Sequence, residues 1–278
     1  MKVILIILII SLIFILFKKK DNKLKNIDEK ISLSFLCIKP NPILVDFLIK
    51  LKKANENYDI FLVCDDNSKK YYINNDIKVI QIDRDVSKKA GYHSILSKMW
   101  LNYYKLPDTL NWDKVLYYLC NNNNYKYNWI IEEDVFVPTV NTINNIDKKY
   151  KKSDLLIENN KINKNGDTSE WLWSREIYRK DKTVFFEPPW YSSMACACRL
   201  SNKLLEEIRL FVLKEKTLVF HEIFFNTLAM KKNLIVDTPK ELKNIVWKKD
   251  YKFSDINKNY LYHPIKDLKL QKEFREKL

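Results

Sequence analysis

The sequence predicts an α/β protein with a mostly parallel sheet flanked by helices, preceded by an N-terminal membrane anchor. Short apolar strand patterns alternate with segments whose apolar residues repeat at helical spacing, which favours a parallel sheet covered on both faces. Two of these strand patterns run directly into acidic residues, and an apolar run at the N-terminus predicts the anchor. Because no internal repeat and no Pro- or Gly-rich linker follows the anchor, residues 31–278 are expected to form one domain.

The predicted anchor occupies residues 1–17, and a charged stalk without apolar periodicity follows at residues 18–30. Residues 3–17 are apolar apart from Ser11 and are followed by three lysines. This core is shorter than the usual span of about 20 residues, so a cleaved signal peptide is the alternative, although no small-x-small cleavage site follows the lysines. We expect an uncleaved single-pass anchor that attaches the protein to a membrane.

The sequence favours a cytoplasmic catalytic domain without excluding a lumenal one. The lysines on the C-terminal side of the apolar run favour the cytoplasm under the positive-inside rule. The odd number of cysteines, five, suits buried thiols in a reducing compartment. The lumenal side stays open because short anchors break the charge rule.

The first half of the domain alternates regularly between the two kinds of pattern. The predicted strands are Ile31–Ile38, Tyr58–Cys64, Ile77–Ile82 and Asn128–Ile131. The predicted helices are Asn41–Ala54 and Asn111–Cys120, the latter with Asn111 as its N-cap. The low-complexity segment Asn121–Asn124 is expected to be a loop.

The second half is less regular. Helical patterns cover Thr139–Tyr150, Ser201–Val212 with Ser201 as its cap, and Phe220–Met230. Strand patterns cover Asp154–Glu158, Thr183–Phe186 and Met194–Arg199, and residues 159–181 read as a polar loop.

Composition excludes several classes of protein. The chain has 49 Lys and Arg against 35 Asp and Glu, a formal charge of +14, but only six arginines, so we expect no nucleic-acid partner. It has only two glycines, Gly91 and Gly166. A Walker loop, a dinucleotide-binding fingerprint and a nucleophile elbow each need several closely spaced glycines, and all three are excluded.

The strongest chemical signal is the segment Glu132-Glu133-Asp134 at the end of a predicted strand. Open parallel sheets bind ligands at their carboxyl edge, and adjacent acids repel one another unless a cation lies among them. Glu132 and Asp134 alternate to the same side of an extended chain, so both are expected to face a divalent ion. An acidic loop or the first turn of a helix is the alternative. Asp65-Asp66 ends a second strand in the same way, with an ordinary turn as its alternative.

Glu222 lies near the N-terminus of a predicted helix whose buried face is Phe220, Ile223, Phe224, Thr227 and Leu228. A carboxylate at this position has two explanations that the spacing alone leaves open. It can simply be stabilised by the helix dipole, or it can act as a general base that takes a proton from an attacking hydroxyl.

Taken together, the alternating sheet, the acidic triplet followed by Val135-Phe136 and the Glu222–Leu228 segment resemble a GT-A-fold glycosyltransferase. The Glu-x-Phe-Phe-x-Thr pattern is similar to the catalytic helix of the core-2 branching and xylosyltransferase enzymes, with His221 in place of the family's Asp. The resemblance implies that Glu222 is the base of an inverting reaction and that Glu132 and Asp134 hold Mn²⁺ or Mg²⁺ against the diphosphate. The core-2 enzymes themselves work without metal.

The resemblance also implies roles for residues elsewhere in the chain. GT-A enzymes often place a C-terminal His on the metal, which makes His263 a candidate ligand, and Lys266 is expected to meet the leaving phosphate. Asp65, Asp66 and Glu133 are expected to bind the nucleotide-sugar donor. Flat aromatic side chains bind sugar rings, so four residues in and after the polar loop are the candidates for the acceptor site: Trp171, Trp173, Trp190 and Tyr191.

The sequence thus predicts a membrane-anchored glycosyltransferase that moves a sugar from a nucleotide-sugar to a hydroxyl of a glycan, protein or lipid acceptor. A sugar-nucleotide nucleotidyltransferase and a non-catalytic membrane-anchored binding protein are the alternatives. Cys196 and Cys198 have neither a second cysteine pair nor a His nearby in the sequence, so no zinc site is expected there.

Overall fold

The computed structural model describes residues 30–94, 109–122, 124–171, 173–179 and 181–278. The predicted anchor and all but the last residue of the stalk lie outside these ranges. Within them, no helix combines the length and apolar content needed to cross a membrane.

Seven strands form one sheet in the order β3-β2-β1-β4-β8-β5-β9. Their bounds are Ile31–Cys37 (β1), Tyr58–Cys64 (β2), Ile77–Gln81 (β3), Tyr127–Glu132 (β4), Leu155–Leu156 (β5), Ala197–Ser201 (β8) and Val236–Asp237 (β9). Two small ribbons lie outside this sheet. One pairs β6 (Lys161–Asn163) with β7 (Trp190–Ser192), and the other pairs β10 (Asn244–Ile245) with β11 (Tyr262–His263).

Strands β1 to β4 pair with one another in parallel, as the sequence predicts, whereas β8 runs antiparallel to β4 and to β5. Within the parallel part, Cys37 lies opposite Cys64, and Leu36 lies opposite Glu132. The last residues of β1, β2 and β4 therefore end at one edge of the sheet. That edge is where the two acidic segments emerge.

Seven helices are described, and they cover both faces of the sheet. Their bounds are Pro42–Ala54 (α1), Arg84–Lys89 (α2), Asn111–Asn121 (α3), Thr142–Lys149 (α4), Asn202–Glu215 (α5), His221–Lys231 (α6) and Leu268–Glu276 (α7). Apolar residues of α3, α5 and α6 form one core layer, and those of α1 and α4 form the layer on the other face. Helix α1 begins as its sequence suggests, because the side chain of Asn41 accepts from the N–H of Ile43 and Pro42 fills the first turn.

Three predictions about local structure are wrong. Residues 159–181 are not all loop, because they contain strand β6 and a 3-10 helix at Ser174–Ile177. Asn111 is not the cap of α3: the cap is Leu110, whose N–H donates to the Asp113 carboxylate at 2.7 Å. The Asn111 amide instead donates to the carbonyls of Cys37 and Val63, so it ties together the ends of β1 and β2. Thr183–Phe186 is not a strand either, since its ladder contact within the described ranges is a single bridge from Val184 to Tyr178.

A buried ion pair joins the antiparallel strand β8 to helix α4. The Arg199 guanidinium donates to the Asp147 carboxylate at 2.6 Å, and the Arg199 side chain is fully buried. The Tyr58 hydroxyl and the Trp129 indole N–H also donate to Asp147. Because both charges are desolvated, removing either one leaves the other buried without its partner.

We therefore expect Arg199→Met to lower the free energy of unfolding by about 3–5 kcal/mol, measured by urea denaturation. The matched control is Arg209→Met, because Arg209 pairs with Glu206 three residues away on the same helix and both side chains are partly exposed. That substitution should cost less than about 1 kcal/mol. Equal losses in the two variants would contradict a structural role for the buried pair.

Candidate active site

Two adjoining cavities open at the carboxyl edge of the sheet. The first, here called the edge cavity, has a volume of about 560 Å³ and is lined by the ends of β1 and β4, Asp65 after β2, and the start of α7. The second, here called the helix cavity, has a volume of about 740 Å³ and extends to the N-terminus of α6. Six residues line both cavities: Leu110, Asn111, Trp112, Glu132, Asp134 and Lys266.

Glu132 ends strand β4 and lies where the two cavities meet. Its Oε1 accepts a hydrogen bond from the Trp112 indole at 2.7 Å, which leaves Oε2 directed towards His263. Desolvation by the surrounding protein raises the pKa of Glu132. The hydrogen bond from Trp112 opposes this rise, and the nearby charge of Asp134 adds to it.

His263 completes the acidic cluster from strand β11. Its Nδ1 lies 2.7 Å from the carbonyl oxygen of Val246. A carbonyl only accepts, so Nδ1 carries the proton, and in the neutral ring Nε2 offers a lone pair. Nε2 lies 3.4 Å from Oδ1 of Asp134 and 3.8 Å from Oε2 of Glu132. Burial would lower the pKa of His263, but the contact with Asp134 outweighs it and the pKa is raised.

This cluster fits a divalent ion. The separations from Nε2 are longer than an ordinary hydrogen bond and close to the roughly 3–3.5 Å between two ligands of one ion held at about 2.1 Å. The tautomer fixed by Val246 is the one that a metal-binding histidine requires. The structure therefore brings the predicted residues Glu132, Asp134 and His263 together.

Glu222 is the second residue of α6 and faces the helix cavity. Its side chain is almost fully buried, and Oε2 has no hydrogen-bond partner among the described residues. Burial raises the pKa of Glu222 to about 8, and the charge of Glu132 adds to the rise, while the Ala195 N–H and the Trp171 side chain oppose it. A carboxyl group with a pKa near the working pH is suited to proton transfer.

His221, the first residue of α6, forms one wall of the site. Its ring stacks on Trp112 with 4.4 Å between ring centroids and 12° between planes. Burial lowers the pKa of His221 to about 3, so the ring is neutral at physiological pH. His221 thus supports the indole that donates to Glu132, and it adds no charge to the cavity.

The predicted donor-binding residues lie in different surroundings. Glu133 lines the edge cavity, and Lys266 lines both cavities. Asp65 also lines the edge cavity, but its two carboxylate oxygens accept from the buried Lys114 at 2.6 Å and from Arg84 at 2.8 Å, and these contacts outweigh burial and lower its pKa. Asp66 lines neither cavity, because its carboxylate closes a turn with Ser68 and Tyr71.

The four predicted acceptor-binding aromatics are not brought together. Trp173 lines the helix cavity and packs on Phe220 with 4.2 Å between ring centroids, and Trp171 lies beside Glu222. Trp190 is a core residue, only 1% exposed, and neither Trp190 nor Tyr191 lines either cavity. Only the two tryptophans of the polar loop thus lie near the site.

Three residues of the site were missed in the sequence. Trp112 and Cys196 line the helix cavity, and the exposed Trp247 lies at its rim with two lysines. Trp112 sits in the first turn of a helix where a core position is the usual reading, and Cys196 lies far in sequence from every other ligand residue. The adjacent polar pair Lys248-Lys249 beside Trp247 is the one signal that marks an exposed loop aromatic.

Comparison with known proteins gives no family. No protein-family model matches the chain, and no curated protein matches it in sequence. Among solved structures, the chain resembles 4-diphosphocytidyl-2C-methyl-D-erythritol synthase from Anaerococcus prevotii, at 12% identity and a TM-score of 0.36, covering 78% of this chain and 94% of that chain. Similarity at this level carries no inference about the reaction.

The raised pKa of Glu222 predicts how stability depends on pH. Between about pH 4.3, where an unfolded glutamate ionises, and about pH 8, the folded protein keeps a proton that the unfolded chain loses. Glu222 therefore makes the protein less stable as the pH rises through this window. We expect Glu222→Gln to raise the melting temperature in metal-free buffer, with a gain that grows from pH 5 to pH 8.

The control for this measurement is Glu56→Gln, an exposed carboxylate that lines neither cavity. Its melting temperature should follow that of the unmodified protein at each pH. A gain from Glu222→Gln that does not change with pH would show that Glu222 does not bind its proton more tightly in the folded state.

Proposed function

We propose that the protein is a GT-A-type glycosyltransferase that inverts the configuration of the transferred sugar and requires a divalent ion. One observation carries the proposal. The buried carboxylate of Glu222 faces the same cavity as the cluster of Glu132, Asp134 and His263, and this cavity adjoins a second one at the carboxyl edge of the sheet. A base, a cation site and room for two substrates are the parts that such a transfer needs.

The nucleotide-sugar is assigned to the edge cavity. Neither Gly91 nor Gly166 lines a cavity, so no glycine loop is present there to wrap a diphosphate. A divalent ion on Oε2 of Glu132, Oδ1 of Asp134 and Nε2 of His263 would supply the positive charge that the diphosphate needs. Lys266 adds a point charge between the cavities, in reach of a leaving phosphate.

The acceptor is assigned to the helix cavity, with Trp173 and Trp247 as the aromatic surfaces against which a sugar ring would pack. In the proposed reaction the acceptor hydroxyl oxygen attacks the anomeric carbon while the Glu222 carboxylate takes the hydroxyl proton. The bond from the anomeric carbon to the diphosphate oxygen breaks, and the nucleoside diphosphate leaves with that electron pair. Attack from the opposite side inverts the anomeric centre. The proposal also includes a glycan, protein or lipid as the acceptor, and attachment of the protein to a membrane through residues 3–17.

We expect Glu222→Gln to lower the rate of transfer by about 10²–10⁴-fold while leaving the affinity for the nucleotide within about twofold. Donor hydrolysis over a set of nucleotide-sugars identifies the donor, and isothermal titration with the matching nucleoside diphosphate and Mn²⁺ measures binding. Glu56→Gln serves as the control that keeps full activity. Loss of nucleotide binding together with transfer would give Glu222 a structural role.

We expect Asp134→Asn and His263→Ala each to weaken binding of the divalent ion by at least ~10-fold, because each removes one ligand atom. The measurement is a titration with Mn²⁺ in the absence of substrate. Asp46→Asn is the matched control, since that carboxylate is exposed and pairs with Lys50 on the surface of α1. Unchanged Mn²⁺ affinity in both site variants would overturn the ion site.

Release of pyrophosphate from a nucleoside triphosphate and a sugar 1-phosphate, without sugar transfer, would favour the nucleotidyltransferase instead.

A further inference from the structure

The acidic cluster contains a sulfur atom. Ligand atoms of Glu132, Cys196 and His263 all lie within 4.8 Å of one another. The backbone fixes this arrangement, because the N–H of Glu132 donates to the carbonyl of Cys196 at 2.9 Å where β4 meets the start of β8. The sequence separates Cys196 from His263 by 67 residues, so the pairing of sulfur with imidazole exists only in the folded protein.

Glu132, Cys196 and His263 offer an oxygen, a sulfur and a nitrogen atom to the same cavity. All of them line the helix cavity, and both Cys196 and His263 are only 6% exposed. The other four cysteines of the chain lie elsewhere: Cys37 and Cys64 contact each other at the ends of β1 and β2, and Cys120 and Cys198 lie in the core layer on the other face of the sheet. Cys196 is therefore the one cysteine among the described residues that is grouped with an imidazole and a carboxylate.

A second observation points to a ligand in this cavity. Glu222 is 5% exposed and faces the same space, and its Oε2 has no hydrogen-bond partner among the described residues. Buried polar atoms in folded proteins are nearly always satisfied by protein, water or ligand. An unsatisfied oxygen of this kind, on a residue that lines the cavity, indicates that the cavity takes a hydrogen-bonding ligand.

We propose that Cys196 is a sulfur ligand of the divalent ion, so that the site selects ions of the Zn²⁺ and Co²⁺ class over Mg²⁺. The inference rests on the proposed function for the roles of Glu132 and His263. Thiolate and imidazole ligands favour these ions, whereas Mg²⁺ is bound almost entirely by oxygen. As the sulfur–metal bond forms, the Cys196 thiol gives its proton to solvent.

The geometry requires only a local adjustment. Ligand atoms on one tetrahedral zinc ion are separated by about 3.3–3.6 Å when the Zn–S distance is about 2.3 Å and the Zn–N distance about 2.0 Å. The three ligand atoms within 4.8 Å would therefore close by on the order of 1 Å, which rotation of the Glu132 and Cys196 side chains can supply. Oδ1 of Asp134 lies 3.4 Å from Nε2 of His263, outside this group of three ligand atoms.

The test is the absorption spectrum of the full-length protein loaded with Co²⁺. A Co²⁺–thiolate bond gives a sulfur-to-cobalt charge-transfer band in the near ultraviolet, which oxygen and nitrogen ligands do not give. We expect this band in the unmodified protein and in Cys120→Ser, whose cysteine lines neither cavity, and we expect Cys196→Ser to lose it. Co²⁺ should also bind at least ~10-fold more weakly to Cys196→Ser, because a direct ligand contributes no less than an outer-shell partner.

The outcomes separate this inference from the proposed function. Absence of the band in the unmodified protein, or its survival in Cys196→Ser, overturns the sulfur ligand. If visible cobalt bands that depend on Asp134 and His263 persist in that case, the ion site stands without sulfur. Should Cys196→Ser fail to fold, X-ray absorption of the Zn²⁺-loaded unmodified protein decides the matter, since a sulfur shell at about 2.3 Å is expected and its absence contradicts the proposal.

Discussion

Repulsion among the half-buried Glu132 and Asp134 at the end of β4 and the buried Glu222 of α6 is the constraint on which the rest of the site depends. Glu132, Asp134 and Glu222 face one cavity, and burial raises the pKa of both glutamates. In such surroundings water screens charges poorly, so ionising all three carboxylates at once has a high electrostatic free energy. His263 offsets part of this cost through its contact with Asp134. A divalent ion bound to the same oxygens would remove most of the remaining electrostatic repulsion. The set of ligand atoms therefore favours a bound divalent ion.

The surrounding fold holds these groups together against that repulsion. Asn111 ties the ends of β1 and β2 through their carbonyls, and the indole of Trp112, stacked on His221, fixes one oxygen of Glu132. At a distance from the site, the Arg199–Asp147 pair attaches β8 to α4 and so keeps the start of β8 against β4. Stability gained in the core thus offsets the cost of an electrostatically strained site.

Local patterns predicted the parallel strands, the acidic edge and the position of Glu222 on its helix, because apolar periodicity and strand length are local properties. Contacts between distant segments were not predictable. Asn111 has the chemistry of an N-cap, yet its amide bonds to two strand ends. Thr183–Phe186 has the composition of a strand, yet Phe186 stacks on Phe211 instead of pairing in a sheet. The sequence predicted no metal site at Cys196, because its imidazole neighbour, His263, is distant in sequence and comes close only in the folded protein.

The coupling between Glu132 and Glu222 links the proposed base to the charge of the acidic cluster. While Glu132 is ionised and uncompensated, its charge helps to hold a proton on Glu222, whose pKa is about 8. Positive charge brought to Glu132 and Asp134 reverses that influence and favours the ionised form of Glu222. Burial is the larger cause of the raised pKa of Glu222, so a cation at the acidic cluster would lower that pKa only in part. Without that cation the same carboxyl group stays largely protonated at neutral pH, so a solvent water in the helix cavity meets a poor base.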